Sequence, residues 1–510
     1  MSDLLIEKAG NFLGLQMVAG GTLPSGFQHQ VHKELTYTHI EYLFGKAAWD
    51  PVTGQRRTIS TSRRGLFSYD NEGRLLCARG FLPLIQRLAT EHGLSVVFVD
   101  KNKARTLPRP RCYEEHWERV FSRIEFRPRQ EECLFRIATH EMGVIEAPPA
   151  FGKSFLIKAL GLLYPRAKID VVTTRLDVLK NLHREISDVI PNVGIVNGSK
   201  KDWARITCIS AASLHHADGT ADFLLADEGH ELVTDRYTKN LVKYQYARRF
   251  TFTATPKCRT DGTNIRLTAM FGNTIFHMPY EEAENLGVVV PVVVNWYDVV
   301  GPDPAASAFS GVDRKRRFVW CNDHRNQIIA KSVRDFDGAQ VLILVEKVEH
   351  ALHLRKLLPE FTLVYSEGAV DRRRRESLIH NGWLQPDDPI MTTALREDYR
   401  RAFRDRRLMR VIATDVWSTG VDFPGLEVIA RAEGLDSERV DYQGPGRVFR
   451  LSPETGKTVG YVIDYIDQAN AIFRNKATNR RRRYANFGWT QVLPDRSLWE
   501  PRRERSLSGN

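Results

Sequence analysis

Cysteine is scarce in this chain and nowhere paired. Its six residues (Cys77, Cys112, Cys133, Cys208, Cys258 and Cys321) are scattered without a CxxC among them. That speaks against a zinc site and a disulfide framework, and for reduced thiols in a cytosolic compartment. Long apolar runs are missing too: none approaches the roughly 20 residues of a membrane span. The first residues, MSDLLIEKAG, carry acidic groups and no cationic start, so no secretory signal is expected. No long basic helix with an aromatic face is visible, which disfavours a membrane surface as partner. The fifteen histidines show no metal-ligand spacing, and no repeat of fixed period stands out.

Positive charge, by contrast, is in surplus. Lys and Arg number 74 against 62 Asp and Glu, a formal net charge of +12. Such an excess points to a polyanionic partner, and nucleic acid is the commonest. A chain of 510 residues is too long for one core and predicts several domains. Between about residues 140 and 480, short apolar runs alternate with helical patterns. The strand-like runs are MGVIEA (142–147), KIDVVTT (168–174), ITCIS (206–210), DFLLAD (222–227), FTFTAT (250–255), QVLILV (340–345), FTLVYS (361–366), LMRVIATD (408–415), LEVIARA (426–432) and TVGYVIDYI (458–466). Many are apolar along their whole length, as strands buried on both faces should be. With helices such as SFLIKALGLLY between them, they predict an α/β fold of open parallel sheets with ligands at the strand ends.

The first 110 residues read differently. Polar hairpin-like stretches, then LPLIQRLATEHG and VVFVD, predict a small α+β domain joined onward through TLPRPRCY (106–113). The expected division is 1–110 for this domain, 111–285 and 286–480 for two parallel-sheet domains, and 481–510 for a basic tail. The segment between Asp371 and Phe403 is longer than such a fold requires.

The chemistry concentrates at a few strand ends. EAPPAFGKSF (146–155) places Gly-Lys-Ser between an apolar strand and the start of a helix. A phosphate loop needs close backbone approach (Gly152), a cation for the β/γ-phosphates (Lys153) and a hydroxyl for Mg²⁺ (Ser154). The strict GxxxxGK[ST] pattern fails at its first position, where Ala147 stands. LLADEGH sets Asp227 and Glu228 at a strand tip, suited to Mg²⁺ and a water-activating base, or merely to a solvated acidic turn. Thr253, Ala254 and Thr255 end another strand. Gln443, Arg447 and Arg450 are spaced to share one helical face, and a basic surface helix is the blander account of them.

Taken in order, these stretches resemble the motifs of superfamily 2 helicases and translocases. Ala147 to Ser154 resembles motif I, VVTTRLDVLKNLHRE motif Ia, ITCISAASL motif Ib, and Asp227-Glu228-Gly229-His230 the DExH form of motif II. Thr253-Ala254-Thr255 matches motif III, RVIATDVWSTGVDFPG motif V, and Gln443, Arg447 and Arg450 motif VI. FRPRQEECL resembles the adenine-reading Q-type motif. The likeness spans about residues 124–470 and leans toward the XPB and phage UvsW type, through TATPKCRTDGTN, LVYSEGAVDRRRR and the N-terminal stretch.

The resemblance implies two RecA-like domains with ATP and Mg²⁺ as cofactors. It implies Arg127 and Gln130 on adenine, and Pro149, Ala150, Phe151, Gly152 and Lys153 around the phosphates. Ser154 and Asp227 would hold Mg²⁺, Glu228 would orient or activate water, and Gly420 and Asp422 would also line the nucleotide. Gln443, Arg447 and Arg450 would act on the γ-phosphoryl. Nucleic acid would meet Thr174, Arg175, Ser210 and Thr414. From the residues themselves, Arg56 and Arg57 near Trp49 and Phe67 in the N-terminal hairpins suit a further surface that holds a backbone and stacks on bases, the other reading being that Trp49 and Phe67 are simply that domain's core. The implied activity is ATP-driven unwinding or remodelling of single-stranded or branched DNA in replication, recombination or repair, in a bacterial or phage-infected host cytosol. An RNA helicase is the alternative among enzymes, and a nucleic-acid-binding scaffold with a decayed ATPase the alternative outside them. Two departures bear on the loop. Pro149 removes a backbone donor, and Ala150 replaces a Gly, so a positive φ there would be strained.

Overall fold

The computed structural model describes residues 3–42, 58–101, 113–122, 124–256, 259, 261–417, 423–436 and 438–494. The chain forms two compact units that part between Val289 and Val290. Among the described residues no helix is long and apolar enough to cross a membrane.

The first unit opens with β1 (Asp3–Ala9), β2 (Phe12–Met17), β3 (Thr36–Tyr42), β4 (Thr58–Gly65), β5 (Phe67–Tyr69), β6 (Leu75–Ala78) and β7 (Ser95–Asp100). A sheet of order β5-β6-β2-β1-β7 forms from these, while β3 and β4 pair apart from it as an antiparallel ribbon. Alternation along β1 sends Leu4 and Ile6 inward to meet Phe27 and Val31 of helix Ser25–Glu34 and Ile85 and Leu88 of helix Leu82–Glu91.

The same unit continues as β8 (Met142–Glu146), β9 (Ile169–Thr173), β10 (Val193–Val196), β11 (Lys201–Asp202), β12 (Ile206–Ser210), β13 (Phe223–Asp227), β14 (Arg248–Thr253) and β15 (Thr274–His277). Their order is β11-β10-β12-β9-β13-β14-β8-β15, parallel except at β10–β11. Strands β9, β12, β13 and β14 are buried along their entire length, which is why most of their residues are apolar, although β9 also buries Asp170 and β14 buries Arg248 and Arg249. Register sets Asp227 opposite Phe252 and Thr253 opposite Glu146. The C-terminal tips of β9, β13, β14 and β8 therefore stand side by side, where an open parallel sheet binds its ligands.

The second unit holds β16 (Val292–Val299), β17 (Val341–Leu344), β18 (Thr362–Val364), β19 (Arg410–Ala413), β20 (Val428–Arg431), β21 (Gly460–Asp467) and β22 (Thr490–Val492). All pairs are parallel, in the order β18-β19-β17-β20-β21-β16-β22. The architecture is α/β with two parallel-strand sheets, as expected of RecA-like domains. Every run expected as a strand is one, with ends moved by at most a residue or two. The tail expected from residue 481 is a correction: helix Ala471–Asn486 runs straight through the arginines, and β22 then joins the sheet beside β16. The long segment after Asp371 folds as helices Arg372–His380 and Thr393–Arg404.

The N-terminal sheet is not a loosely tethered module. It shares one compact unit with the eight-stranded sheet, and Ala269 of helix Ile265–Phe271 belongs to its core. At Gly80 a Cβ atom would stand 2.0 Å from the Thr268 carbonyl oxygen, so only glycine allows this approach. Arg79 is buried and donates from its guanidinium to the Gln245 carbonyl at 3.0 Å and to that of Ala247. Burial pulls Arg79 down to about 10, against the opposing pull of Glu141 and Asp100. Arg249, also buried, donates to the Tyr244 carbonyl at 2.6 Å and to the Asn11 side chain. Lys8 bridges Asp100 at 3.0 Å and Glu141 at 2.5 Å. Arg79→Ala should therefore lower the stability of the whole first unit by about 3 kcal/mol, the upper range for a hydrogen bond to a charged group. Urea unfolding of the full chain measures it. An unchanged midpoint would mean that these carbonyls find other donors.

Candidate nucleotide and nucleic-acid site

The phosphate loop grows out of β8. Ala147 donates its backbone N–H to the Thr253 carbonyl at 3.3 Å, and Phe151 closes a turn onto the Pro148 carbonyl at 3.2 Å. Ala150 takes φ +81°, the strained conformation anticipated for a non-glycine residue there. Gly152 follows at φ +99° and caps helix Lys153–Leu163, whose free N–H groups and dipole favour an anion. A Cβ at Gly152 would stand 2.4 Å from the Gln130 amide nitrogen.

Gln130 is buried, and both ends of its amide are committed. Its nitrogen donates to the Phe151 carbonyl at 2.6 Å, and its oxygen accepts the Arg127 backbone N–H at 3.0 Å. Arg127 donates to the Ala150 carbonyl at 3.3 Å. The adenine contact expected of Gln130 thus gives way to a clamp on the loop. Phe151 is buried and stacks on Phe276 at 5.2 Å, with the Arg129 guanidinium 4.8 Å from the same ring.

At the neighbouring strand tips, Lys153 forms an ion pair with the buried Asp227. Asp227 also accepts from the Thr173 hydroxyl at 3.3 Å. Glu228 adopts the left-handed conformation (φ +52°) and donates its N–H to the Phe252 carbonyl at 2.9 Å. Burial and the adjacent Asp227 push its carboxyl up to about 7, with Lys153 and a hydrogen bond to Thr253 pulling the other way. A carboxyl titrating near neutrality suits proton transfer to or from water. His230 is buried, its Nδ1 3.0 Å from the Thr253 hydroxyl oxygen and 3.4 Å from a Glu228 oxygen. That hydroxyl oxygen also accepts the Thr255 N–H at 3.2 Å. Thr253 therefore touches the phosphate loop through its carbonyl and the acidic turn through its side chain.

Sequence reasoning missed Glu231. Its carboxylate accepts from the Thr174 hydroxyl and from Arg175 at 3.0 Å, tying the start of helix Leu176–Ser187 to the DEGH turn. The signal was its place one turn past Asp227, beside a strand that ends in Thr-Thr-Arg. Other expectations are corrected. Ser210 is buried and bonds Ser213 at 3.0 Å, and Thr414 is buried with its N–H on the Val364 carbonyl at 3.0 Å, so neither faces nucleic acid. Phe67 packs against the N-terminal core and stacks on His32 at 4.2 Å, so it is no platform for bases. Gln443, Arg447 and Arg450 do not share one helix. Helix Glu438–Gln443 stops, a single tight turn spans Pro445–Arg447, and Arg450 follows it. Gly444 keeps helical dihedrals (φ −61°, ψ −65°), and Pro445, which has no N–H to donate, passes the chain into that turn. Arg447 is buried and donates to the Gly444 carbonyl at 3.0 Å; Arg450 is half-buried. Trp49, Arg56, Arg57, Gly420 and Asp422 lie outside the described residues.

The family described as "Type III restriction enzyme, res subunit" matches residues 123–258, the stretch from just before Arg127 to just past Thr255. The "DNA 3'-5' translocase XPB2" of Sulfurisphaera tokodaii is 21% identical over 71% of this chain and 86% of its own length. The chain is similar in sequence to superfamily 2 helicases and translocases. "Putative helicase 22" of a Sulfolobus islandicus filamentous virus is 23% identical over 64% of this chain, which spans only 60% of that protein's length. A solved structure of an S. cerevisiae Dbp5 variant bound to RNA and ADP BeF3 shares the fold, with a TM-score of 0.51, 13% identity, and coverage of 75% of this chain and 94% of that one.

Ala150 offers a local test of this loop. Ala150→Gly should relieve about 1 kcal/mol of backbone strain, partly offset by the larger entropy of an unfolded glycine. Denaturant midpoints would register the gain. A clear loss of stability would mean the methyl group packs usefully despite its φ.

Proposed function

We propose that this chain is an ATP-driven DNA translocase that unwinds or remodels branched DNA in replication, recombination or repair, within a cytosolic compartment. The observation that carries it is the convergence of Lys153, Asp227, Glu228 and Thr253 at adjacent tips of one parallel sheet. The net charge of +12 supports a nucleic-acid track, and the translocase named above supports DNA. The β3–β4 ribbon supports contact with forked substrates: residues 58–63 of β4, Arg63 among them, are exposed throughout.

In this mechanism Lys153 leaves Asp227 for the β/γ-phosphates when nucleotide enters, and Pro149, Ala150, Phe151 and Gly152 surround the phosphates with backbone. Ser154 and Asp227 would hold Mg²⁺. Ser154 follows Lys153 in the first turn of the same helix and Asp227 pairs with Lys153, so a hydroxyl and one carboxylate fit an ion that is otherwise held by phosphate and water. Bound there, the ion would offset charge on the phosphate oxygens. Arg127 is left to meet the base. Glu228 orients water and takes its proton. Arg447 and Arg450, with Gln443, neutralise charge on the γ-phosphoryl, a role that in GTPases contributes on the order of 10³–10⁵ in rate. Thr174 and Arg175 hold the nucleic-acid backbone.

Lys153→Ala should abolish ATP hydrolysis and leave DNA binding largely intact, because affinity rests on many distributed phosphate contacts. Near wild-type turnover in that variant would sink the phosphate-loop assignment. Glu228→Gln should bind ATP without turning it over; loss of nucleotide binding would make Glu228 structural.

The deciding experiment is ATP hydrolysis stimulated by single-stranded, duplex and branched DNA and by RNA, repeated across salt. Strongest stimulation by branched DNA, weakening steeply with salt, is expected. Preference for RNA would make it an RNA helicase, and no stimulation at all would leave a scaffold.

A further inference from the structure

The arginines once expected in a tail converge on the segment that carries Gln443, Arg447 and Arg450. Two residues before Gln443, the fully buried Asp441 accepts from Arg431 at 2.7 Å and from Arg483 at 2.5 Å. Arg431 also donates to the Tyr484 hydroxyl at 2.6 Å, and that hydroxyl donates to the buried Asp464 of β21 at 2.9 Å. The Arg480 guanidinium donates to both carboxylate oxygens of Asp464 at 2.9 Å. Beyond the helix, the Trp489 ring lies 6.0 Å from Tyr442, next to Gln443, and 5.2 Å from Phe449, between Arg447 and Arg450. Tyr442 also meets Phe487 at 4.8 Å. The segment is thus held on both sides by residues 480–489, through charge before Gln443 and through rings at Phe449.

The geometry points to Arg483 as a positioning residue for ATP hydrolysis, acting through Asp441 on the placement of Arg447 and Arg450. This rests on the reading that those two arginines act on the γ-phosphoryl. Gly444 donates to the Val440 carbonyl at 3.2 Å and Val448 to that of Pro445 at 2.9 Å, so the tight turn that carries Arg447 is built directly onto the helix that carries Asp441. That helix is supported from outside at Asp441 by Arg483, a partly exposed side chain. It also pairs with Asp436.

The test is a double-mutant cycle on nucleic-acid-stimulated ATP hydrolysis in the full chain. Arg483→Ala should lower kcat about tenfold, within the range for residues that act as a coupled pair. KM for ATP and the melting temperature should stay near wild type, because Arg431 still pairs with Asp441. Arg483→Lys should restore most of the rate. In an Arg447→Ala background, Arg483→Ala should then cost nothing further. If the two losses multiply instead, Arg483 is merely structural and the inference falls. Wild-type turnover in Arg447→Ala alone would remove the reading beneath it, and the inference with it. Should Arg483→Ala fold poorly, Trp489→Leu replaces it with the same expected non-additivity and the same failing outcome.

Discussion

The ion pair between Lys153 and Asp227 is the constraint around which the first unit is arranged. A carboxylate at the buried end of a strand is costly without a counter-charge. Lys153 provides that charge from the first turn of a helix whose own N-terminus repels cations. An ammonium held against an unfavourable dipole by one carboxylate is poised to move when an anion arrives. The parallel sheet fixes the distance between loop and acid, because β8, β14 and β13 are consecutive neighbours. The pair is a property of the topology as much as of its two residues.

Hydroxyl groups distribute that constraint. Thr173 bonds Asp227, Thr253 bonds His230 and anchors Ala147, and Thr251 accepts the Gly229 N–H at 2.9 Å. Threonine fits a buried strand by its branched shape and still presents one polar atom, so a sheet interior can carry such a network without exposing it. Glu231 extends it to Thr174 and Arg175. A change in charge at Asp227 would therefore be felt at Thr174 and Arg175 through one short chain of contacts at the ends of adjacent strands.

Much of this was legible beforehand, for a physical reason. Strands covered on both faces are apolar throughout, so runs such as DFLLAD and QVLILV declare themselves without any partner in view. β16, VVVNWYDV, escaped notice because its burial alternates and Asn295 and Asp298 break the apolar run. A run of arginines reads as solvated surface by default, yet Arg480 is buried, since Asp464 waits on a strand far away in sequence. Ser210 and Thr414 differ in the opposite sense: polar residues at strand ends look exposed, but both are buried, Ser210 against Ser213 and Thr414 with its N–H on the Val364 carbonyl. Pairings between distant residues decide such cases, and no local pattern contains them.

The imperfect phosphate loop is the place where these strands of argument meet. Relative to the strict pattern it has lost a glycine at Ala147, a backbone donor at Pro149 and conformational ease at Ala150. A loop so altered should be less able to hold its shape unaided. The structure supports the loop from outside at Ala147, Ala150 and Phe151. Thr253 takes the Ala147 N–H, Arg127 takes the Ala150 carbonyl, and Gln130 takes the Phe151 carbonyl. Phe151 is further fixed by Phe276. Positive φ at Ala150 persists because its neighbours over-determine it, as strained residues at working sites generally do. Gly152, the one position where a side chain would strike Gln130, is the one glycine retained.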